Sequence, residues 1–324
     1  MSLSPGGAAP LRQPLGRGPV PVATSTLAAY PLLIATALFW GGNAVAGRLA
    51  IGEISPMALT CVRWGLVALL LMGTARRQVR EAWPILRPRW RRIAVTSTVG
   101  FTGFNALFYV AAHYTTAVNL AIIQGSIPVL VLLGALLFQN TRISLLQVGG
   151  MLATLVGVAV VAAKGDLLSL AALKVNFGDG LMVIACLLYA SYTILLRDRP
   201  AVPGLAFFAA MAGVAFLTSL PLLAYEVLSG TVIWPHGRGW LIMLFVALFP
   251  SFLAQLSYIR GVELIGPARA GLFVNLVPVF GPTLAVVILG EPFGLYHAAA
   301  LGLVLGGIFL AEMGRGRIGG DAVG

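Results

Sequence analysis

The chain alternates between long apolar runs and short polar connections. Ten apolar runs lie near residues 28–50, 56–74, 92–111, 117–138, 144–163, 178–196, 203–225, 239–260, 268–289 and 293–312. Each approaches the roughly 20 residues that a helix needs to cross a hydrocarbon core about 30 Å thick. The pattern predicts an all-α integral membrane protein of ten transmembrane helices.

The second half repeats the first. Sliding residues 99–160 by 150 positions lays them on 249–310 without a gap. Pro128 then meets Pro278, Asn105 meets Gln255, Phe108 meets Tyr258 and Gly157 meets Gly307, while a shift of 149 places Trp40 on Tyr189 and Arg48 on Arg197. With five helices per copy, an odd number, the second copy must enter the membrane from the opposite face. The expectation is two inverted five-helix repeats, residues 28–163 and 178–312, with a linker at 164–177 and tails at 1–27 and 313–324. Inverted repeats about a pseudo-two-fold axis in the membrane plane give two nearly equivalent packings, each open to one side, with a site between the halves.

Composition strengthens this picture and charge orients it. Hydrophobic residues make up 59% of the chain and charged residues 10%, against roughly 25% charged in a soluble domain, so the surface cannot be a water-facing one. A net charge of +11 would suggest nucleic acid in a soluble protein, but here the 21 Lys and Arg sit almost entirely between apolar runs, with Arg48, Arg63 and Arg269 within or at the ends of helices, and no nucleic-acid partner is expected. Arg76, Arg77, Arg80, Arg87, Arg89, Arg91 and Arg92 fill the connection after the second run, and Arg12, Arg17, Arg142, Arg197, Arg199, Arg260, Arg315 and Arg317 fall on the same side. The other side collects Lys164, Lys174 and Arg238. Positively charged loops stay in the cytoplasm, so both termini are expected inside. Residues 1–27, rich in Pro and Gly, read as a flexible tail without the apolar core of a secretory signal. Cys61 and Cys186 lie within apolar runs with no Cys or His at ligand spacing, so neither a disulfide framework, a metal nor a cofactor is expected.

A polar group in hydrocarbon is costly unless paired or facing a wet cavity, so mid-helix polar residues are the candidates for the transport pathway. They are Asn43, Asn105, Tyr109, Asn119 and Gln124 in the first half, and Tyr189, Tyr192, Gln255, Tyr258 and Asn275 in the second. The alternative for each is an interhelical hydrogen bond. Trp40, Phe101 and Phe104 join Tyr109, Tyr189 and Tyr258 as aromatics near the midplane; they stack on a cargo or face lipid, and lipid is the expectation for most. Amides and phenols with almost no charge suit a zwitterion with an apolar side chain.

Arg63 lies about 10 Å into its helix at 1.5 Å per residue and cannot deprotonate, so it must have a partner. A substrate carboxylate, a protein carboxylate such as Glu291, or carbonyls at a broken helix would serve, and a structural role is favoured. Pro128 and Pro278, near the middles of their helices, free the carbonyls of Gln124 and Val274 and are the expected hinges. His113, His236 and His297 sit away from the midplane, as do the acids, which disfavours obligatory proton coupling through a membrane-centre group. Gly302 and Gly306, with Gly149, Ala153 and Gly157, are small-residue faces expected to pack within a monomer, with a dimer as the alternative.

The Trp40-Gly41-x-Asn43 pattern, Pro56 and Arg63 of the second helix, the fourth-helix prolines Pro128 and Pro278, and Glu291 with Gly302 together resemble the drug/metabolite transporter superfamily and its EamA family of paired five-helix units. The first half departs at Asn140-Thr141, where the second has Gly290-Glu291. Within that family the chain is most similar to YddG-type bacterial exporters. That resemblance implies efflux of aromatic and other amino acids across the bacterial inner membrane by alternating access, with the Arg position kept across many substrates. Other small metabolites are the alternative cargo. A membrane-embedded enzyme would need a nucleophile with a base or clustered acids, and none is seen. A channel is not excluded by the sequence, and a nucleotide-sugar carrier would want more cavity cations than Arg63.

Overall fold

The computed structural model describes residues 22–139, 144–166 and 176–320. Arg12, Arg17, the Asn140-Thr141 turn with Arg142, and Lys174 lie outside the described residues, as do the side chains of Arg315 and Arg317. Ten helices are long and apolar enough to span a bilayer. They are α1 (Leu27–Leu49), α2 (Pro56–Thr74), α3 (Arg76–Ala112), α4 (Ala117–Leu137), α5 (Leu145–Ala162), α6 (Phe177–Asp198), α7 (Gly204–Leu228), α8 (Arg238–Ile265), α9 (Arg269–Leu289) and α10 (Leu295–Gly314). No strand occurs among the described residues, and the protein is a multi-pass membrane protein.

Local chemistry sets the boundaries. Pro56 occupies the first turn of α2, where its missing N–H costs nothing. Thr116 caps α4 by accepting from the Asn119 N–H, Ser144 and Gln147 form a reciprocal capping box on α5, and Asn176 caps α6. The arginine-rich connection expected after α2 is instead helical and forms the first part of α3. Its Ala82 and Leu86 are buried against Val67, Leu71 and α7, so one face of the segment packs while the arginines stay outside.

The helices pack in a pattern that maps onto itself when each is exchanged for the one five later. α1 lies against α8 and α9 as α6 lies against α3 and α4; α2 pairs with α7, α4 with α9 and α5 with α10. The irregular turns follow the same register. A π-helical turn at Thr98–Gly103 in α3 falls, under the 150-residue shift, within the π-helical turn Ala247–Leu253 of α8. The break at Gly125 and Ser126 in α4 falls on the 3-10 turn Phe273–Leu276 of α9.

The α5–α10 pair shows which small residues matter. A Cβ on Gly150 would lie 2.4 Å from the Gly307 carbonyl oxygen, and one on Gly157 would lie 2.9 Å from the Ala300 carbonyl oxygen. Gly149, Gly302 and Gly306 have nothing within 4 Å of the same construction. Of the expected small residues Gly157 therefore packs, joined by Gly150 and Gly307, whereas Gly149, Gly302 and Gly306 meet open space.

Candidate functional site

The site begins where α1, α4 and α9 converge. A Cβ on Gly41 would stand 2.8 Å from the Gly281 amide nitrogen, and one on Gly281 would stand 2.3 Å from Ala121 Cβ. Only glycine allows backbones this close. The contact fixes the rotation of α1, and Trp40 and Asn43 on either side of it line a central cavity.

That cavity has two joined parts. An inner part of about 80 Å³ and an outer part of about 380 Å³ share Trp40, Phe101, Pro128, Tyr189, Gln255 and Asn275. The outer part is within the roughly 300–1,000 Å³ range of small-molecule sites. Its lining continues to Leu196, Arg199, Gly204, Glu263 and Leu272, at helix ends on the arginine-rich face.

Of the polar and aromatic residues expected at the site, Asn43, Asn105 and Gln124 line the inner part, Tyr192 and Tyr258 the outer part, and Trp40, Phe101, Tyr189, Gln255 and Asn275 both. Trp40, Phe101, Phe104, Tyr189 and Tyr258 thus face inward, against the expectation of lipid. They are held ring against ring: Trp40 to Tyr258 at 5.5 Å, Phe104 to Tyr189 at 5.0 Å and Tyr189 to Tyr192 at 5.1 Å between centroids. Tyr109 is buried behind the wall. Asn119 is a correction: it lies outside the lining, donating to Asp179 and meeting His297 Nε2 at 3.2 Å through its Oδ1.

Arg63 stands at the inner end, 4% exposed. Its Nε donates to Ser251 Oγ at 2.8 Å and its Nη1 to Asn105 Oδ1 at 2.5 Å and to the Tyr109 hydroxyl, which donates in turn to Asn43 Oδ1 at 2.9 Å. The guanidinium lies 5.2 Å from the Trp64 ring and 5.7 Å from the Tyr109 ring. Every protein partner is neutral; among the described residues no carboxylate pairs with it, and Glu291 is engaged elsewhere. Trp64 stacks on Phe101 at 4.4 Å, and its indole N–H is buried with no acceptor.

Sequence reasoning missed Trp64 and Ser251. Ser251 is reached only because the π-helical turn of α8 rotates it toward α2, its hydroxyl donating to the Val246 carbonyl at 2.5 Å. The one available signal was Pro250, which the 150-residue shift sets opposite Gly100; the Pro250 carbonyl accepts from Trp40 Nε1 at 3.0 Å.

The expected hinge prolines sit at helix restarts. Pro128 follows the Gly125–Ser126 break and Pro278 follows the 3-10 turn, where Val277 N–H donates to the Val274 carbonyl. The Val274 carbonyl therefore accepts one backbone bond, and Val274 itself lines both parts of the cavity. Both prolines line the inner part.

The face opposite the arginines is closed by carboxylates capping helix starts. Glu291 accepts from the Ala117 and Val118 N–H groups at 2.9 Å each, with Arg48 Nε at 3.6 Å. Gly290, at φ 65°, turns the chain so that this side chain reaches α4. Glu226 accepts from the Ser55 hydroxyl at 2.5 Å and from the Met57 and Ala58 N–H groups at 3.0 and 3.1 Å, closing the start of α2. Asp179, wholly buried, accepts from Thr115 and Asn119. All three acids belong to the second half and all their helix-start partners to the first.

Known proteins agree with this architecture. The model of the EamA-like transporter family matches twice, over residues 27–163 and 176–313. The chain is 27% identical over 288 residues to the uncharacterized transporter YyaM of Bacillus subtilis (strain 168), spanning 87% of this chain and 93% of that one. It is 23% identical over 292 residues to the aromatic amino acid exporter YddG of Ancylobacter novellus, spanning 85% and 94% respectively. A crystal structure at 20% identity superposes with a TM-score of 0.61, covering 90% of this chain and 98% of that chain, and shares the fold. The paired matches, the ten helices and the cavity between them lead to one statement: the chain belongs to the EamA-like transporter family and is a membrane transporter.

Proposed function

We propose that the protein exports small carboxylate-bearing metabolites, aromatic and other amino acids among them, across the bacterial inner membrane by alternating access. The observation that carries this reading is Arg63: a buried cation at the inner end of an aromatic cavity, with neutral protein partners only. A carboxylate docking there completes a charge-assisted pair and accepts the orphaned Trp64 N–H as well. Trp40, Tyr189 and Tyr258 then bound the side chain, and the amides of Gln124, Gln255 and Asn275 are within the same lining for the ammonium group.

In this reading residues 28–163 and 178–312 are inverted repeats with both termini cytoplasmic, and the structure is the state open to the cytoplasm. The self-mapping helix contacts and the matched π-helical turns support the inversion. The carboxylate caps of Glu226 and Glu291 are the contacts that part when the halves rock, and the breaks before Pro128 and Pro278 are where α4 and α9 bend. The monomer carries the whole pathway.

The test is purified protein in liposomes loaded with labelled amino acids, nucleobases or sugars, with and without a pH gradient. Saturable exchange of aromatic amino acids is the expected result. Uptake of another class with no amino acid exchanged overturns the cargo, and non-saturating flux indifferent to chemistry would mark a channel.

A further inference from the structure

The arginine-rich segment carries features that the cargo pathway does not use. Between Arg76 and Arg92 there are seven arginines, of which Arg77 pairs with Glu81 and Arg92 with Asp198. Arg76, Arg80, Arg87, Arg89 and Arg91 have no carboxylate partner among the described residues. Trp83 and Trp90 on the same stretch are more than half exposed, and Arg91 lies 5.6 Å from the Trp90 ring. Exposed indoles beside arginines, at the end of a membrane-spanning helix, are the composition of the headgroup layer.

Within this region a recess is rimmed by Arg89, Arg92 and Arg199 and floored by Ile93, Leu195 and Phe207. Arg89 and Arg92 come from the first half, Arg199 and Phe207 from the second. Among the described residues the only acid paired at the rim is Asp198, on Arg92, which leaves Arg89 and Arg199 without a carboxylate partner there. Guanidinium groups above an apolar floor match a phosphodiester carrying acyl chains; a free phosphate would leave the floor wet. We infer that this recess binds the headgroup of an anionic phospholipid and so ties the two halves together at the arginine-rich face. Arg199 and Phe207 also line the mouth of the central cavity, so the bound lipid borders the entrance.

Native mass spectrometry of the purified protein titrated with phosphatidylglycerol or phosphatidylcholine tests this. Wild type retains phosphatidylglycerol in preference, and each of Arg89→Gln and Arg199→Gln lowers retention by about fivefold. Arg80→Gln, on the same segment but outside the recess, retains it as wild type does. Equal retention of the two lipids, or equal loss in R80Q and R89Q, overturns the site in favour of a diffuse charge effect. Displacement of the lipid by millimolar inorganic phosphate overturns it in favour of a soluble anion. Thermal unfolding of each variant in detergent identifies any that misfold; R89Q, at an exposed position, keeps the test decisive if R199Q does not fold. Absence of amino acid flux in liposomes would defeat the proposed cargo and leave this result unchanged.

Discussion

Arg63 Nε donates to Ser251 Oγ at 2.8 Å, so the one buried arginine among the described residues of the first half is held by the π-helical turn of the second. The bond crosses the interface that the proposed alternating access would rearrange. It also orients a cation toward the inner part of the cavity, whose lining includes no acid among the described residues.

Arg63→Lys keeps the charge and loses the fork that reaches Ser251 and Asn105 together. We expect KM for carboxylate-bearing cargo to rise about tenfold, with flux of decarboxylated analogues little changed. Trp64→Phe preserves the stack on Phe101 and removes only the N–H, with an expected two- to fivefold rise, about 0.5–1 kcal/mol. Liposome flux measured on matched acid and amine cargoes separates this from a structural role, which would lower both equally.

Gly150→Ala and Gly307→Ala each push a methyl into the facing backbone or side chain of the α5–α10 pair and should destabilise the protein by about 1–3 kcal/mol. Gly302→Ala and Gly306→Ala meet open space and should leave the melting temperature in detergent unchanged. Equal effects in the two pairs would mean that the outer small-residue face is itself packed, as in a dimer.

Glu291→Gln retains the size of the side chain but removes the charge that accepts two N–H groups at the start of α4 and faces Arg48. A loss of about 1–2 kcal/mol in thermal unfolding is expected from capping and dipole contributions together. Because the cap joins the halves on the closed face, the variant should also favour the alternative packing, read as faster labelling of engineered cysteines lining that face.

Pro128→Ala and Pro278→Ala restore a backbone N–H at the restarts of α4 and α9 and allow continuous helix through the breaks. Transport should slow several-fold while the yield of folded protein stays near that of wild type. Unchanged kinetics in both variants would show that neither break bends during the cycle.

Hydrophobicity alone specified ten spanning helices, because crossing hydrocarbon demands long apolar runs and leaves little room for ambiguity. The one-dimensional register likewise pointed to two related halves, since one ungapped shift lays Pro128 on Pro278, and the family model matches each half. Most of the cavity was legible for a related reason: polar side chains are scarce in such runs, and those present, Asn43, Gln124, Gln255 and Asn275 among them, are there because they meet something other than lipid. What the sequence could not decide was rotation and partnership. Asn119 and Asn105 look alike in one dimension, yet one closes a buried network with Asp179 and His297 and the other holds Arg63. Gly150 and Gly149 are adjacent, and only one faces α10. Ser251 meets Arg63 only through a π-helical turn that shifts the helical phase, and Glu291 leaves Arg63 to other partners because Gly290 turns it toward α4. Those choices depend on which face of each helix its neighbours cover, a property of the packed bundle that no run of residues carries by itself.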